Sequence, residues 1–381
     1  MKDLSPPKIL ILSNTRGYGG SETNLETILL YLLDQAQLHV VVENPLHHRN
    51  LSHLWSNFLH ITKTPTGSSP VHLLIQFIII LWIYLQFQPD YVVANVHKAA
   101  FLLAALFKLP LRRPKTCAVI IQDFDYYYLP FILKNLSNVL FLAPTEAIFS
   151  DKRYRSWGLT RDKHQLIIFP CPTQMPEEGF TRSSAEAFIA CAARIIPWKG
   201  IDYLIRAFAI VTQNEPAARL QIFGTPVDQE YYNQLLRLVT ELGLENSVHF
   251  KSFTSNMRQV YTDAEFFVVP SLATNPGPES FCRIITEAWA FEKPSVAFAV
   301  GGPCYLIDHE VDGCLVEERN ITALAEAIIR LWRNPQLRQE MGRRGHKKVR
   351  ALYDPERSVT KLLSHLTGEF DHAGQPMLAK P

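Results

Sequence analysis

Two carboxylates in the C-terminal half, Glu279 and Glu287, have seven residues between them in Pro278-Glu279-Ser280-Phe281-Cys282-Arg283-Ile284-Ile285-Thr286-Glu287. A strand-like run, Phe266-Phe267-Val268-Val269-Pro270-Ser271, precedes them, and a Gly301-Gly302-Pro303 turn follows. This pattern puts both acids at the start of a helix. Backbone N–H groups there can hold a phosphate, and carboxylates can accept from sugar hydroxyls. A helix beginning near Phe281 would carry Glu287 two turns inside and leave Glu279 in the loop ahead. That suits a donor site, with Glu287 on a ribose diol and Glu279 on a sugar. It suits less well a glycosidase pair, in which both acids flank one bond. Standing alone, the segment would read by default as placing Glu287 on a polar helix face.

Two cations form a second constellation, Arg194-Ile195-Ile196-Pro197-Trp198-Lys199-Gly200-Ile201-Asp202, between a strand-like run and an amphipathic helix. On a loop at a strand's carboxyl end, Arg194 and Lys199 can neutralise a departing diphosphate. Two solvated surface cations are the plainer alternative. A third piece, Asn14-Thr15-Arg16-Gly17-Tyr18-Gly19-Gly20-Ser21-Glu22, joins the first strand to a helix. Its glycines let N–H groups approach an anion, although a turn shaped only for packing uses the same residues. The dinucleotide fingerprint G-x-G-x-x-G needs glycine where Glu22 stands. Glu43 lies about where that scheme places a ribose-binding acid, so a Rossmann oxidoreductase using NAD(P) stays as an alternative.

The elements that must position these residues alternate between β-rich and helix-like runs. Strands are expected at 8–13, 39–43, 91–96, 117–122, 139–143 and 165–169, then at 188–193, 219–223, 247–253, 265–269, 295–300 and 314–316. Continuous apolar runs such as Ile9-Leu10-Ile11-Leu12 suit strands covered on both faces, as in parallel sheets. The rhythm implies two doubly wound α/β domains. Between them, Pro170-Cys171-Pro172-Thr173-Gln174-Met175-Pro176-Glu177-Glu178-Gly179 reads as a linker, since proline at this density breaks helix and strand alike.

A chain of 381 residues is long enough for two cores, and a net charge of +2 argues against nucleic acid as the main partner. Six scattered cysteines without a C-x-x-C pair fit reduced thiols in the cytoplasm. The start of the chain, Met1-Lys2-Asp3-Leu4-Ser5-Pro6-Pro7, lacks the apolar core of a signal peptide. Residues 73–87 are strongly apolar but shorter than a membrane span, and read as a buried helix with membrane-surface contact as the alternative. The cation-rich stretch 330–350 reads as a solvated helix face, with an anionic membrane as its other partner. Aromatics at Phe124 and Tyr126–Tyr128 would suit sugar rings or a packed loop.

Over about residues 8–350 the chain resembles the family-four glycosyltransferases of GT-B architecture. The resemblance rests on Gly19-Gly20-Ser21-Glu22, Pro89-Asp90-Tyr91-Val92-Val93, Arg194 with Lys199-Gly200-Ile201-Asp202, Phe223-Gly224, Glu279 through Glu287, Gly301-Gly302 and Asp312-Gly313-Cys314-Leu315-Val316. It implies two Rossmann-like domains facing across a cleft. Residues 1–170 would form the acceptor-side domain, 171–186 the linker and 187–353 the nucleotide-sugar-binding domain. A helix within 354–370 would return to the first domain, and 371–381 would be a disordered tail.

The resemblance also implies a hexosyl transfer from a nucleotide diphosphate sugar to a hydroxyl of a glycan or lipid-linked glycan. Anomeric configuration would be retained and no metal or other cofactor used. Arg194 and Lys199 would stabilise the departing diphosphate, Glu287 would hold the ribose, and Glu279 would contact the sugar. Gly19, Gly20, Phe281, Cys282 and Arg283 would complete the donor cradle. Gln122, Asp123 and Tyr126 would meet sugar or acceptor. The cysteine pattern and the N-terminus make a cytoplasmic location the expectation, with peripheral contact to the cytoplasmic face of an anionic membrane as the alternative. Four features depart from the pattern: Cys282 replaces a glycine, Gln122 stands where relatives often carry a histidine, Pro170-Cys171-Pro172 replaces the usual Asn-Gly, and Ala273-Thr274-Asn275-Pro276-Gly277 is inserted before Glu279. His97 and Asp123 are the groups that would compensate. A non-catalytic GT-B partner subunit is therefore the alternative within this fold.

Overall fold

The apolar runs of the sequence become the interior strands of two parallel sheets. The structure is a computed structural model and describes residues 6–15, 19–54, 56–122, 128–136, 139–176, 186–252, 254, 256–273 and 279–370. The chain divides into two units, Met1–Pro172 with Pro355–Pro381, and Thr173–Asp354.

In the first unit the chain runs β1 (Lys8–Ser13), α1 (Gly20–Leu32), β2 (Gln37–Val42), α2 (Pro45–Ser52) and β3 (Leu59–Lys63). It continues through α3 (Pro70–Phe87), β4 (Tyr91–Asn95), α4 (His97–Leu106), β5 (Thr116–Ile120) and α5 (Leu129–Asn135). Then come β6 (Val139–Ala143), α6 (Glu146–Ser150), α7 (Lys152–Ser156) and β7 (Gln165–Ile168). The second unit opens with β8 (Ile189–Ala192), a 3-10 turn (Pro197–Lys199), α8 (Ile201–Asn214), β9 (Leu220–Phe223), α9 (Gln229–Glu241) and β10 (Val248–Lys251). It continues with α10 (Met257–Asp263), β11 (Phe267–Val269), α11 (Arg283–Ala290), β12 (Ser295–Phe298) and α12 (Pro303–Leu306). It closes with β13 (Cys314–Val316), α13 (Ile321–Arg333) and α14 (Pro335–Leu352). The last helix, α15 (Pro355–Thr367), packs in the first unit: Val359, Leu362 and Leu366 join the core that α1 covers.

Strand order is β3-β2-β1-β4-β5-β6-β7 in one sheet and β10-β9-β8-β11-β12-β13 in the other. Every pairing is parallel. Alternate residues of one strand therefore enter different cores. Leu10 and Leu12 pack with α3 and α4, while Ile9 and Ile11 pack with α1 and α15. In each sheet the chain reverses direction once, between β1 and β4 and between β8 and β11, and at such points ligands bind outside the carboxyl ends.

Three expectations need correction. β3 was not anticipated: Leu-His-Ile-Thr-Lys is a short edge strand, partly exposed throughout, and lacks the apolar run that marks the interior strands. The helix expected to be buried at 73–87 is α3, and only its inner side is buried; Val71, Leu74, Ile78, Trp82 and Leu85 remain exposed. The cations of 330–350 are not simply solvated. Arg330 pairs with Glu310, Arg333 with Glu215, Arg338 with Glu265, Arg344 with Glu340, and Lys348 with Asp308 and Asp312.

Candidate functional site

Lys199 and Glu279 reach one another from opposite sides of the reversal point in the second sheet. Lys199 ends the 3-10 turn after β8, and its ammonium is ion-paired with the Glu279 carboxylate from the segment after β11. Ser271 Oγ also donates to Glu279 Oε2, at 3.1 Å, and the ammonium lies 4.2 Å from the Trp198 ring centroid. Both side chains are mostly shielded, at 13% and 17% exposure, which strengthens a charge relative to the open surface. The turn is tied to the next strand's exit by Leu272 N–H donating to Trp198 O at 2.9 Å. Asp202, in the first turn of α8, accepts from the Tyr231 hydroxyl at 2.8 Å and so anchors the helix that follows. Arg194 lies exposed on the loop between β8 and the turn.

The loop carrying Glu279 closes through glycine. Gly302 N–H donates to Glu279 O at 2.6 Å, and a Cβ on Gly302 would come within 2.6 Å of the Phe281 backbone. Phe281 is buried, with its ring edge-on to Tyr353 at 5.8 Å. Its role is thus to seat the loop. Cys282 caps α11 in the left-handed conformation, at φ 70°. This explains why glycine suits the position: the backbone geometry demands it, and cysteine adopts it under strain. Burial first, then the Glu279 carboxylate, pushes the buried Cys282 thiol above its ordinary pKa, so it remains a neutral thiol. Cys282→Gly is expected to change stability by less than about 1 kcal/mol, relief of strain offsetting the lost thiol packing. Cys282→Val adds a second branch where a β-branched residue is least tolerated, and should cost about 2 kcal/mol or more. Chemical denaturation of the two variants checks both.

Glu287 lies one turn into α11, not two, because the helix starts at Arg283. Its two oxygens face different donors. Arg283 Nε donates to Oε1 at 3.0 Å from the preceding turn, and the Tyr261 hydroxyl at the end of α10 donates to Oε2. Burial, then the neighbouring carboxylate, holds the Tyr261 phenol well above its ordinary pKa, so it stays a donor. Tyr261 was absent from the sequence reading. Its signal was weak: a tyrosine just before Thr262-Asp263-Ala264 and the β11 run.

The remaining candidates belong to the first unit. Gly20 opens α1, and Gly19 N–H donates to Glu22 Oε2 at 2.8 Å, so this amide is committed to the helix's own acid. Gln122 Nε2 donates to Asn95 Oδ1 at 3.0 Å, and Asn95 in turn donates to Ser13 Oγ at 3.2 Å. A chain of amides thus spans the ends of β5, β4 and β1. Asp123, Tyr126 and most of the aromatic cluster lie outside the described residues. His97 is buried and stacks on Tyr154, which gives it a packing role. Glu43 is fully buried, ion-paired with Lys98 at 2.6 Å and bonded by Gly67 N–H at 2.8 Å. A carboxylate so enclosed is not presented to a ribose, which removes the feature favouring an oxidoreductase. Among the described residues, no group of three or more His, Cys, Asp or Glu is placed to hold a metal.

Residues 177–348 match the family described as "Glycosyl transferases group 1". An exopolysaccharide phosphotransferase of Streptomyces coelicolor is 34% identical over 178 residues, which are 46% of this chain and 18% of that protein. The lipopolysaccharide core biosynthesis glycosyltransferase LpsD of Rhizobium meliloti is 25% identical over 287 residues, 72% of this chain and 74% of that one. Among solved structures, Anabaena HepE in complex with UDP-glucose superposes with a TM-score of 0.77 at 21% identity, covering 95% of this chain and 100% of its own. That likeness is one of fold: two Rossmann-like parallel sheets in the GT-B arrangement of chain and strands.

Proposed function

We propose that this chain, whose residues 177–348 match the group 1 glycosyl transferases, moves a hexose from a nucleotide diphosphate sugar to an acceptor hydroxyl, with retained configuration. The observation that carries the reading is the pairing of Lys199, after β8, with Glu279, after β11, and of Glu287 in α11 with Arg283 of the same helix and Tyr261 of α10. Three charged elements converge where an α/β sheet ordinarily receives its ligand. UDP-glucose in HepE supports a nucleotide sugar as donor, and the polysaccharide and lipopolysaccharide roles named for the relatives support a glycan or lipid-linked glycan as acceptor.

In this reading Lys199, joined by Arg194, meets the charge that grows on the diphosphate as its bond to the anomeric carbon breaks. Two cationic side chains supply that stabilisation without a metal. The acceptor oxygen forms the new bond, and its proton leaves to the departing phosphate side. Glu279, released from Lys199 by the incoming diphosphate, accepts from hydroxyls of the sugar. Glu287 accepts from the ribose diol, its carboxylate aimed by Arg283 and Tyr261.

The direct test is nucleoside diphosphate release from a panel of nucleotide sugars, with donor binding measured in parallel. Glu287→Ala should weaken donor binding about 10- to 100-fold, the range for hydrogen bonds to a charged group. Tyr261→Phe removes one of the carboxylate's two donors and should weaken it about threefold to tenfold. Its signature is a reduced preference for ribose over deoxyribose nucleotides, which a general loss of stability would not produce. Donor binding without release under any acceptor would favour a binding subunit, and neither binding nor release across the panel would overturn the proposal.

A further inference from the structure

Helix α3 carries no charged side chain from end to end. Gln76, Ile80, Ile83 and Tyr84 are buried inside the first unit. On the opposite side Val71, Leu74, Ile78, Trp82 and Leu85 are 51% to 65% exposed. Their spacing makes one continuous stripe, about 20 Å long at 1.5 Å per residue. An uninterrupted apolar strip on a protein surface marks a place where something docks.

The charge beside the stripe says what. Tyr84 donates to the carbonyl of Arg112 at 2.5 Å, and Leu85, Gln88, Leu111 and Arg112 line one shallow hollow. The loop that follows α4 therefore abuts the C-terminal end of the stripe with four exposed cations, Lys108, Arg112, Arg113 and Lys115. Lys8 adds a fifth, 5.8 Å from the Phe87 ring centroid. The acid paired in this group is Asp90, which lies 3.5 Å from Lys115 and accepts from Lys8 N–H.

We propose that α3 lies on an anionic lipid surface, with its apolar stripe in the acyl boundary and the 108–115 cations against lipid phosphates. Apolar side chains flanked by cations, with a tryptophan among them, are what an interfacial helix presents. Here the cations come from a neighbouring loop and not from the helix itself. The helix cannot instead cross the bilayer. It is the connection from β3 to β4, and crossing would pull Ile80 and Ile83 out of the core that covers the sheet. A second copy of the chain is a poorer partner, because a twofold contact through this face would bring like charges together.

The test uses the full chain without donor, so its outcome is independent of the transferase reading. The chain should sediment with vesicles of equal parts phosphatidylglycerol and phosphatidylcholine, and far less with phosphatidylcholine alone. Ile78→Ser with Leu85→Ser should lower the partition about tenfold or more, given the area each side chain would bury. Arg112→Gln with Arg113→Gln should weaken binding and flatten its salt dependence. Trp82→Phe should keep binding but lose the fluorescence quenched by brominated lipid. Unaltered circular dichroism spectra would confirm that these exposed substitutions leave the fold intact. No sedimentation with anionic vesicles, or binding indifferent to Ile78 and Leu85, would overturn the proposal. So would a concentration-dependent dimer dissolved by the same serine variants, which would assign the face to self-association.

Discussion

Replacing Lys199 with alanine is expected to slow sugar transfer about a hundred- to a thousandfold, with a smaller loss in donor binding. The ammonium is held by a short turn, a paired carboxylate and an aromatic face before any substrate arrives. A charge already in place stabilises the diphosphate as it departs without reorganising at the moment of reaction. Alanine also leaves Glu279 held by Ser271 Oγ without its ion pair, so a misplaced sugar contact would add to the loss. Lys199→Arg and Glu279→Gln separate the two. Arginine keeps the charge and should retain more activity than alanine. Glutamine removes the ion pair while leaving Lys199 charged, and should act mainly on the sugar's KM. Diphosphate release in steady state reads all three, and an alanine variant within about threefold of wild type would remove Lys199 from the catalytic set.

Much of the fold is legible in the sequence, for identifiable physical reasons. Interior strands of a parallel sheet must be apolar on both faces, so β1 and β6 stand out as unbroken runs, and β3, half exposed at the sheet edge, does not. Lys199 and Glu287 drew notice because charge at strand ends and helix starts can serve a ligand, and the structure does put them at the turn after β8 and in the first turns of α11. Tyr261 was not legible, because a buried phenol aimed at a carboxylate looks like any core tyrosine until the two helices are packed. The outer face of α3 escaped for the opposite reason. Its composition is uniformly apolar, so no periodicity distinguishes the side facing the sheet from the side facing out. Glu43 shows the converse error: its position in the chain suggested a ligand contact, and only the fold revealed that Lys98 and Gly67 already occupy it.

The other large effect expected lies one residue beyond the lysine. Gly200→Ala should destabilise the second unit by about 3 kcal/mol or more and abolish most transfer even in the molecules that remain folded. Gly200 adopts φ 64°, and a Cβ there would meet the Pro270 carbonyl oxygen at 2.0 Å. That oxygen is backbone at the exit of β11, so it cannot swing aside as a side-chain tip would. The turn must lift away from residues 270–272, stretching the bond from Leu272 N–H to Trp198 O and carrying Lys199 off Glu279. Gly243 supplies the control within the same unit. It has φ 66° and open space around the added carbon, so Gly243→Ala isolates the conformational cost, about 1 kcal/mol. Thermal unfolding of the two variants side by side should therefore show a small shift for Gly243→Ala and one several times larger for Gly200→Ala. Equal shifts would mean that the left-handed backbone, and not the contact between the cation turn and the β11 exit, sets the cost. The same contact would then have no claim to position Lys199.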